Sequence, residues 1–296
     1  MTKTKPKRRK RTFPPATAPT KAVAAKPASS EKRPIRWGLI ALFLTISIGG
    51  TYLAVWLRRH EVAPRYTYEL VAKFPHDESA FTQGILIDDG YLWESTGRYG
   101  ESSVRKIELE TGRILKSHSL DESFFGEGLA MHDGQLFQLT WKSGKAFVYD
   151  RDLNPKGEFN YQGQGWGLTT DGNDLILSDG SQHLQFIDPK TFKVRRSIRV
   201  LRKGGMPVGQ LNELEYAGGK VYANCYQTDI VYEIEPKQGD VTGIIDLSGL
   251  WPTRDRPTDG ILNGIAVIPS YPPRMFVTGK LCPWIYEIKL VRESDR

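Results

Sequence analysis

The sequence predicts an all-β fold made of five copies of a four-stranded unit, the architecture of a five-bladed β-propeller. A polar residue followed by glycine, or by glutamate in one copy, opens five apolar segments. The equivalent positions are Gly84, Gly128, Gly167, Glu213 and Gly264. They recur every 39 to 51 residues, and the segments alternate between apolar and polar residues with the period of two that strands require.

Each repeat contains a first strand, a turn with glycine or aspartate, a second strand and a third. In the first repeat these segments read FTQGILIDDGYLWEST and SSVRKIELETG. A fourth strand follows in four repeats, as RILKSHSL, PKGEFNY, KVRRSIRV and VTGIIDL, but the fifth repeat ends at Leu290 without one. One spare strand, residues 66–74, precedes the first repeat. We therefore expect this N-terminal strand to close the ring as the outer strand of the last blade, which would cover an open sheet edge.

Charge and hydropathy distinguish two segments before the repeats. Residues 1–36 contain 12 Lys or Arg and one acid, which predicts a disordered basic tail, and the rest of the chain is slightly acidic. Residues 38–57 are 20 uncharged residues, long enough to cross a bilayer. Because the basic excess precedes this span, the positive-inside rule predicts a transmembrane signal anchor over residues 37–58. It places the tail in the cytoplasm and the propeller, residues 59–296, on the extracytoplasmic (periplasmic) side.

The basic cluster at residues 7–11 has an alternative interpretation as a nucleic-acid arm. A membrane span soon after it favours a role in membrane topology, so we expect no nucleic-acid partner. We expect the propeller to be a monomer that is attached to the membrane by one helix.

Residues far apart in sequence should converge at one mouth of the central channel. In a propeller the first strand of each blade lines the channel, so the residues before the five equivalent positions form a ring: Gln83, Glu127, Trp166, Asn212 and Asn263. The ends of the second strands add a further layer: Thr96-Gly97-Arg98, Trp141-Lys142, Asp179-Gly180, Tyr226 and Gly279-Lys280. Aromatic walls with a few polar groups are typical of a ligand site. The alternative is a polar channel filled with water.

Glu127 lies in the stretch Phe124-Phe125-Gly126-Glu127-Gly128-Leu129. Apolar neighbours should bury the carboxyl and raise its pKa towards neutrality, as a proton-transferring group requires. A structural glutamate paired with a basic group or the backbone would have the same neighbours.

Other chemistries have weaker support. The five histidines show no metal-ligand spacing, and neither GxSxG nor a P-loop motif occurs. A Ca²⁺-dependent lactonase would need several carboxylates at the channel, where the ring supplies one. We expect no metal at the catalytic site and no cofactor required for catalysis, and a structural Ca²⁺ stays open. Cys225 and Cys282 could form a disulfide or be two buried thiols.

Several longer motifs occur in order from about Tyr68 to Leu290: FTQG, ESTGRYGESSVRK, FGEGL, QLTWK, GWGLTTDG, LSDGS, LNELEY, LNGIA and FVTGK. Together they resemble the plant-type glutaminyl-peptide cyclotransferases, the glutamine cyclotransferase family of plants and bacteria. The resemblance implies a five-bladed propeller that converts the N-terminal glutamine of peptides or proteins to pyroglutamate and releases ammonia.

The resemblance also implies residue roles. Glu127 matches the family glutamate of FGEG and would act as general base and then general acid. Lys280 would polarise the carbonyl or stabilise the oxyanion. Gln83 and Asn212 would hydrogen-bond the substrate. The pocket walls would be Phe81, Phe125, Trp141 and Trp166.

The chain departs from the family pattern in three places. Tyr226 replaces a common tryptophan, Gln164 replaces a common acid, and Cys282-Pro283-Trp284 replaces Trp-Pro-Lys. Tyr226 can still stack against a ligand. The alternative function is a non-catalytic binding propeller, a scaffold or sensor on the membrane. Such a protein should have lost the glutamate, the lysine or the indoles, and this chain retains all of them.

Overall fold

The structure, a computed structural model, describes residues 63–295. The predicted tail and transmembrane anchor lie outside these residues. Within them, no helix is both long and apolar enough to cross a membrane. Apart from three 3-10 turns, Lys203–Gly205, Thr253–Asp255 and Glu293–Asp295, every regular element in this range is a β-strand. The predicted all-β class is therefore confirmed for this part of the chain.

The strands of residues 63–295 form five antiparallel units of four and one small hairpin. The chain enters through β1 (Arg65–Pro75). Unit 1 contains β2 (Thr82–Asp88), β3 (Tyr91–Thr96), β4 (Ser103–Glu108) and β5 (Arg113–Ser119). Unit 2 contains β6 (Gly126–His132), β7 (Gln135–Thr140), β8 (Lys145–Tyr149) and β9 (Pro155–Asn160). Unit 3 contains β10 (Leu168–Thr170), β11 (Leu175–Ser178), β12 (His183–Ile187) and β13 (Val194–Arg199).

After the hairpin of β14 (Leu201–Arg202) and β15 (Met206–Pro207), two more units follow. Unit 4 contains β16 (Leu211–Ala217), β17 (Lys220–Cys225), β18 (Ile230–Ile234) and β19 (Val241–Asp246). Unit 5 contains β20 (Leu262–Ile268), β21 (Arg274–Gly279), β22 (Trp284–Arg292) and, as its outer strand, β1.

Strand β1 takes the place in unit 5 that the sequence predicts for the spare strand. It pairs antiparallel with β22, from Tyr66 opposite Arg292 to Pro75 opposite Trp284. It also makes a short parallel pairing with β19, in which Arg65 lies opposite Ile244. This second pairing, which the sequence does not predict, joins units 4 and 5 into one eight-stranded sheet. Because β1 has 11 residues, its first residues can reach the neighbouring edge.

The units follow one another in an order that returns to its start. Strand β2 contacts β6 and β20, β10 contacts β6 and β16, and β16 contacts β20. A buried apolar cluster fills each junction between adjacent units, including the junction of unit 5 with unit 1. The small antiparallel sheets and their cyclic contacts are consistent with a propeller-like fold.

The apolar clusters explain why the inner strands of a unit carry apolar residues on both faces of the sheet. Successive side chains on a strand point to opposite faces of its sheet. On unit 1, Ile85 and Leu92 therefore pack towards unit 5. Their neighbours Leu86 and Trp93 pack towards unit 2. Both faces of the unit are buried, so both sets of residues are apolar.

The repeated glycines allow the first strands to approach one another. A Cβ atom added to Gly128 would lie 2.4 Å from the Leu168 backbone nitrogen. One added to Gly167 would lie 2.0 Å from the Asn212 carbonyl oxygen. Both distances are shorter than any van der Waals contact, which explains the glycine signature of the repeats.

Unit 4 has Glu213 where the other units have glycine, and this side chain links three units. Its carboxylate accepts hydrogen bonds from the backbone N–H groups of Ile85, at 3.2 Å, and Ile265, at 2.8 Å. Two residues later, Glu215 accepts one from Val267 at 2.9 Å. Burial raises the pKa of Glu213 well above its ordinary value, and the neighbouring Glu215 adds to the effect.

Glu215 should make stability depend on pH. Burial raises its pKa to about 8, whereas an exposed glutamate has a pKa of about 4.3. The folded state thus favours the neutral carboxyl. The contribution of Glu215 to the free energy of unfolding is therefore complete at low pH and is lost as the pH rises towards 8. We expect Glu215→Gln to flatten the fall in the free energy of unfolding between about pH 5 and 8, measured by urea denaturation.

The matched control is Glu122→Gln, which changes an exposed loop carboxyl. This variant should keep the wild-type decline. A Glu215→Gln protein with the wild-type slope would contradict the assignment of the decline to Glu215.

Candidate active site

A cavity of about 300 Å³ lies where the first strands begin and the second strands end. All nine predicted catalytic and substrate-binding residues line it, together with Arg98: Phe81, Gln83, Arg98, Phe125, Glu127, Trp141, Trp166, Asn212, Tyr226 and Lys280. Two cavities of about 340 and 390 Å³ lie against the outer strands of unit 2. Those two lack a buried acid and a buried base that face each other, so the first cavity is the candidate active site.

Glu127 is the second residue of β6, where the strand begins beside the cavity. Its side chain is buried, and Gln83 donates a hydrogen bond from Nε2 to Glu127 Oε1 at 3.2 Å. Burial raises the pKa of Glu127 well above its ordinary value, and the positive charge of Lys280 partly opposes this effect. The carboxyl can therefore exchange a proton nearer to neutral pH than a surface glutamate can.

Lys280 follows β21 directly and places its ammonium among aromatic rings. Its Nζ lies 4.9 Å from the centre of the Phe81 ring and 5.2 Å from that of Tyr226. Burial lowers the pKa of Lys280, while the carboxylates of Glu127 and Asp259 act in the opposite direction. Within residues 63–295 no direct ion pair joins Lys280 to Glu127, so the two charges interact across the cavity.

The two asparagines predicted at the mouth of the channel differ in whether they can hydrogen-bond a ligand. Asn212 lines the cavity, and its buried Oδ1 has no hydrogen-bond partner among the described residues. Buried polar atoms are nearly always paired, so this oxygen is a candidate to accept a hydrogen bond from a ligand. Asn263 behaves differently from the expected ring residue, because it does not line the cavity. It donates to the Thr82 carbonyl at 3.1 Å and to Gln83 Oε1 at 3.5 Å. This contact directs the other end of the Gln83 amide towards Glu127.

Aromatic side chains form the walls. Phe125 contacts Phe81, with ring centres 6.1 Å apart, and Trp141, with ring centres 5.6 Å apart. Trp166 meets Tyr226 edge to face at 5.5 Å. Such contacts between rings hold the walls in place and leave a largely apolar interior.

Gln164 connects the two indoles. Its Oε1 accepts a hydrogen bond from Trp141 Nε1 at 2.9 Å and another from Trp166 Nε1 at 3.1 Å. The sequence identifies Gln164 only as a departure from the family pattern. The structure shows that its amide oxygen satisfies both indole donors.

Two glycines at the ends of second strands make room for the walls. A Cβ on Gly97 would lie 2.3 Å from the Phe125 ring. Gly180 has a φ of +79°, and a Cβ there would lie 2.6 Å from the Trp166 indole. Any other residue would displace one of these rings, which explains the STG and SDG segments.

A buried ion pair lies behind the cavity. The His76 ring directs Nδ1 at the Cys282 carbonyl at 2.6 Å and Nε2 at Glu94 Oε1 at 3.0 Å. Both partners are acceptors, so the ring carries two protons. Burial alone would lower the pKa of His76, but the Glu94 carboxylate outweighs it and raises the pKa. Thr82 also donates to Glu94, so this network ties the strand of Gln83 to the turn that follows Lys280.

Two further predictions concern metals and cysteines. Among residues 63–295, no group of three or more His, Cys, Asp or Glu side chains is arranged to hold a metal ion. Both cysteines are free thiols, of which Cys282 is buried and Cys225 half-buried. The structure thus has two free thiols and no disulfide, but only Cys282 is buried as the two-thiol alternative expects.

Comparison with known proteins identifies the family. The model of the glutamine cyclotransferase family matches residues 42–290. The chain belongs to the glutamine cyclotransferase family. This result confirms the resemblance of the sequence motifs and the predicted enzyme class, glutaminyl-peptide cyclotransferase.

Two relatives of this cyclotransferase show how far the similarity extends. A glutaminyl-peptide cyclotransferase of Arabidopsis thaliana is 46% identical over 235 residues, which cover 77% of this chain and 72% of the relative. The crystal structure of a glutaminyl cyclase from Myxococcus xanthus is 36% identical, with a TM-score of 0.72. The match covers 78% of this chain and 99% of the Myxococcus chain, so it extends over nearly all of that enzyme.

The sequence places Arg98 in the layer at the ends of the second strands but assigns it no role. Arg98 follows the second strand of unit 1 as Trp141, Tyr226 and Lys280 follow those of units 2, 4 and 5, and all four side chains line the cavity.

Proposed function

We propose that this cyclotransferase converts the N-terminal glutamine of peptides and proteins to pyroglutamate, with Glu127 as the proton-transferring group. The observation that carries the proposal is the cavity, where buried Glu127, buried Lys280 and the unpaired oxygen of Asn212 face one small volume. Family membership supports the reaction, and the contacts within the cavity support the roles of individual residues.

The reaction joins two groups of one residue. The free α-amine attacks the side-chain amide carbon, a C–N bond forms, and the carbonyl oxygen gains negative charge. The original bond from that carbon to the amide nitrogen then breaks, and ammonia leaves. Since both groups belong to the same glutamine, the enzyme has to hold a cyclic conformation and move one proton.

Glu127 moves that proton. As a carboxylate it accepts the proton that the attacking amine loses, and it then donates it to the departing nitrogen. A raised pKa suits both steps, because the group must accept and release a proton within one turnover. The hydrogen bond from Gln83 fixes the orientation of the carboxyl.

The other polar groups bind the substrate and stabilise charge. The Lys280 ammonium stabilises the developing oxyanion, where a buried positive charge is most effective. The unpaired oxygen of Asn212 accepts a hydrogen bond from a substrate N–H group. The rings of Phe81, Phe125 and Trp141 exclude the water that would otherwise hydrolyse the amide to glutamate.

A peptide panel tests this function. The purified full-length chain should release ammonia from a peptide with N-terminal glutamine. It should release none from the same peptide with N-acetylated glutamine, which lacks the nucleophile, or from a peptide with internal glutamine only. Binding of the glutamine peptide without release of ammonia would instead support the non-catalytic binding propeller.

We also propose that the five units form a closed five-bladed propeller, monomeric and independent of a metal for catalysis. The proposed transmembrane anchor at residues 37–58 would keep the propeller on the extracytoplasmic (periplasmic) side, and its uncharged 20-residue stretch after a basic tail supports this orientation. A reporter that is active only outside the cytoplasm should be active when it is fused to the C-terminus.

Because we propose that catalysis needs no metal, turnover should be unchanged when a chelator is added.

A further inference from the structure

Arg98 has an unusual backbone conformation beside the cavity. Its φ is 82°, in the left-handed region that strains the backbone of a residue with a side chain. It follows Gly97, which packs under Phe125. The backbone is therefore strained at a position where a second glycine would avoid the strain.

The guanidinium group has little to bind within the protein. It stacks on Phe81, with its Cζ 4.5 Å from the ring centre. Its nearest carboxylates belong to Glu101, at 3.9 Å, and Asp259, at 4.0 Å, both at the outer limit of an ion pair. Within residues 63–295 its side chain donates no hydrogen bond. A guanidinium group has five N–H donors, so most of its binding capacity is unused.

The position of Arg98 differs from that of the other cation of the site. The Phe81 ring contacts both, with Lys280 Nζ 4.9 Å from its centre. Lys280 is buried near Glu127, whereas 37% of the Arg98 side chain is exposed. When the N-terminal glutamine occupies the buried part of the cavity, the rest of the peptide must leave on the exposed side, where Arg98 lies.

We propose that Arg98 binds the residue that follows the N-terminal glutamine and makes the enzyme favour an acidic side chain at that second position. The planar guanidinium matches a carboxylate through two parallel hydrogen bonds. Glu101 and Asp259 are themselves exposed and hold Arg98 loosely, so a substrate carboxylate can take their place. This inference rests on the proposed function, because it concerns the second residue of the same substrates.

The test compares three peptides that differ only at the second position, with Gln-Glu, Gln-Gln and Gln-Lys at the N-terminus. For the full-length wild-type chain we expect kcat/KM to be about fivefold higher for the Gln-Glu peptide than for the Gln-Lys peptide at low salt. The ratio should decrease as salt is added, because the contact is partly exposed.

Three variants decide whether Arg98 is responsible. Arg98→Asn keeps a residue that tolerates positive φ but removes the charge, so the ratio should fall to about one. Arg98→Lys keeps the charge without the planar donors and should retain part of the preference. The control is Arg113→Asn on the outer strand β5, which should keep the wild-type ratio.

Equal kcat/KM for the three peptides in the wild type, or an unchanged ratio in Arg98→Asn, would overturn this inference while the proposed function stands. Failure of the wild type to convert any of the peptides would overturn the proposed function itself. Thermal unfolding of each variant excludes loss of the fold as the cause of a changed ratio.

Discussion

Glu127→Gln is expected to lower kcat for a glutamine peptide by about 10²–10⁴-fold, the usual contribution of a general acid–base group. The substitution preserves size and leaves an oxygen to accept the Gln83 hydrogen bond, which is 3.2 Å long in the structure. It removes the ionisable carboxylate, so the side chain can no longer accept and return the proton. Ammonia release measures the effect, and thermal unfolding shows that the fold is intact.

The pH profile gives a second measurement of the same group. The reactive complex contains a neutral amine and an ionised Glu127, and burial raises the Glu127 pKa. As the pH falls, kcat/KM should therefore be lost through two protonations, one of the substrate amine with a pKa of about 7.7–8.0 and one of Glu127. If kcat/KM at low pH depended on the ionisation of the substrate amine alone, the role of Glu127 as the general base would be contradicted. Near-normal turnover in Glu127→Gln would contradict it too.

Lys280→Met is expected to have the second largest effect, a decrease in kcat of about 10²–10³-fold, as for the loss of one oxyanion-stabilising donor. Methionine keeps an unbranched apolar side chain beside the rings of Phe81 and Tyr226 but removes the charge that faces them. It also removes the cation that opposes the effect of burial on Glu127. The Glu127 pKa should then rise further, and the acid limb of the pH profile should move to higher pH.

Lys280→Arg is the matched control, since it retains a positive charge with a different shape. We expect its kcat to lie between those of the wild type and Lys280→Met. If Lys280→Met raised KM and left kcat unchanged, the lysine would bind substrate and transition state equally, and its role in stabilising the oxyanion would be wrong.

Much of the strand order follows from the sequence, because strand positions repeat with a fixed internal pattern. The polar-glycine signature marks the start of first strands, and the missing fourth strand of unit 5 indicates where β1 pairs. The nine selected cavity residues lie together for the same reason, since equivalent strand positions meet at one mouth. Their chemical roles stay predictions.

Other features depend on contacts that no repeat pattern encodes. The hairpin β14–β15 has strands of two residues each, too short to show a period. The repeat pattern predicts that Asn263 lies at the mouth of the channel with the other four equivalent residues. Its side-chain amide instead donates to the Thr82 carbonyl, and Asn263 does not line the cavity. Gln164, which joins the two indoles, lies in no strand. These arrangements depend on side-chain rotamers and on packing between units.

The most direct test of the account follows both products of one reaction. Wild-type protein and Glu127→Gln, purified as full-length chains, are incubated with the same glutamine peptide, and mass spectrometry and an ammonia assay record the products. We expect the wild type to form one pyroglutamyl peptide per ammonia, and folded Glu127→Gln to form both products at least about 10²-fold more slowly. Equal product formation by the two proteins, or ammonia accompanied by an N-terminal glutamate in place of pyroglutamate, would contradict it.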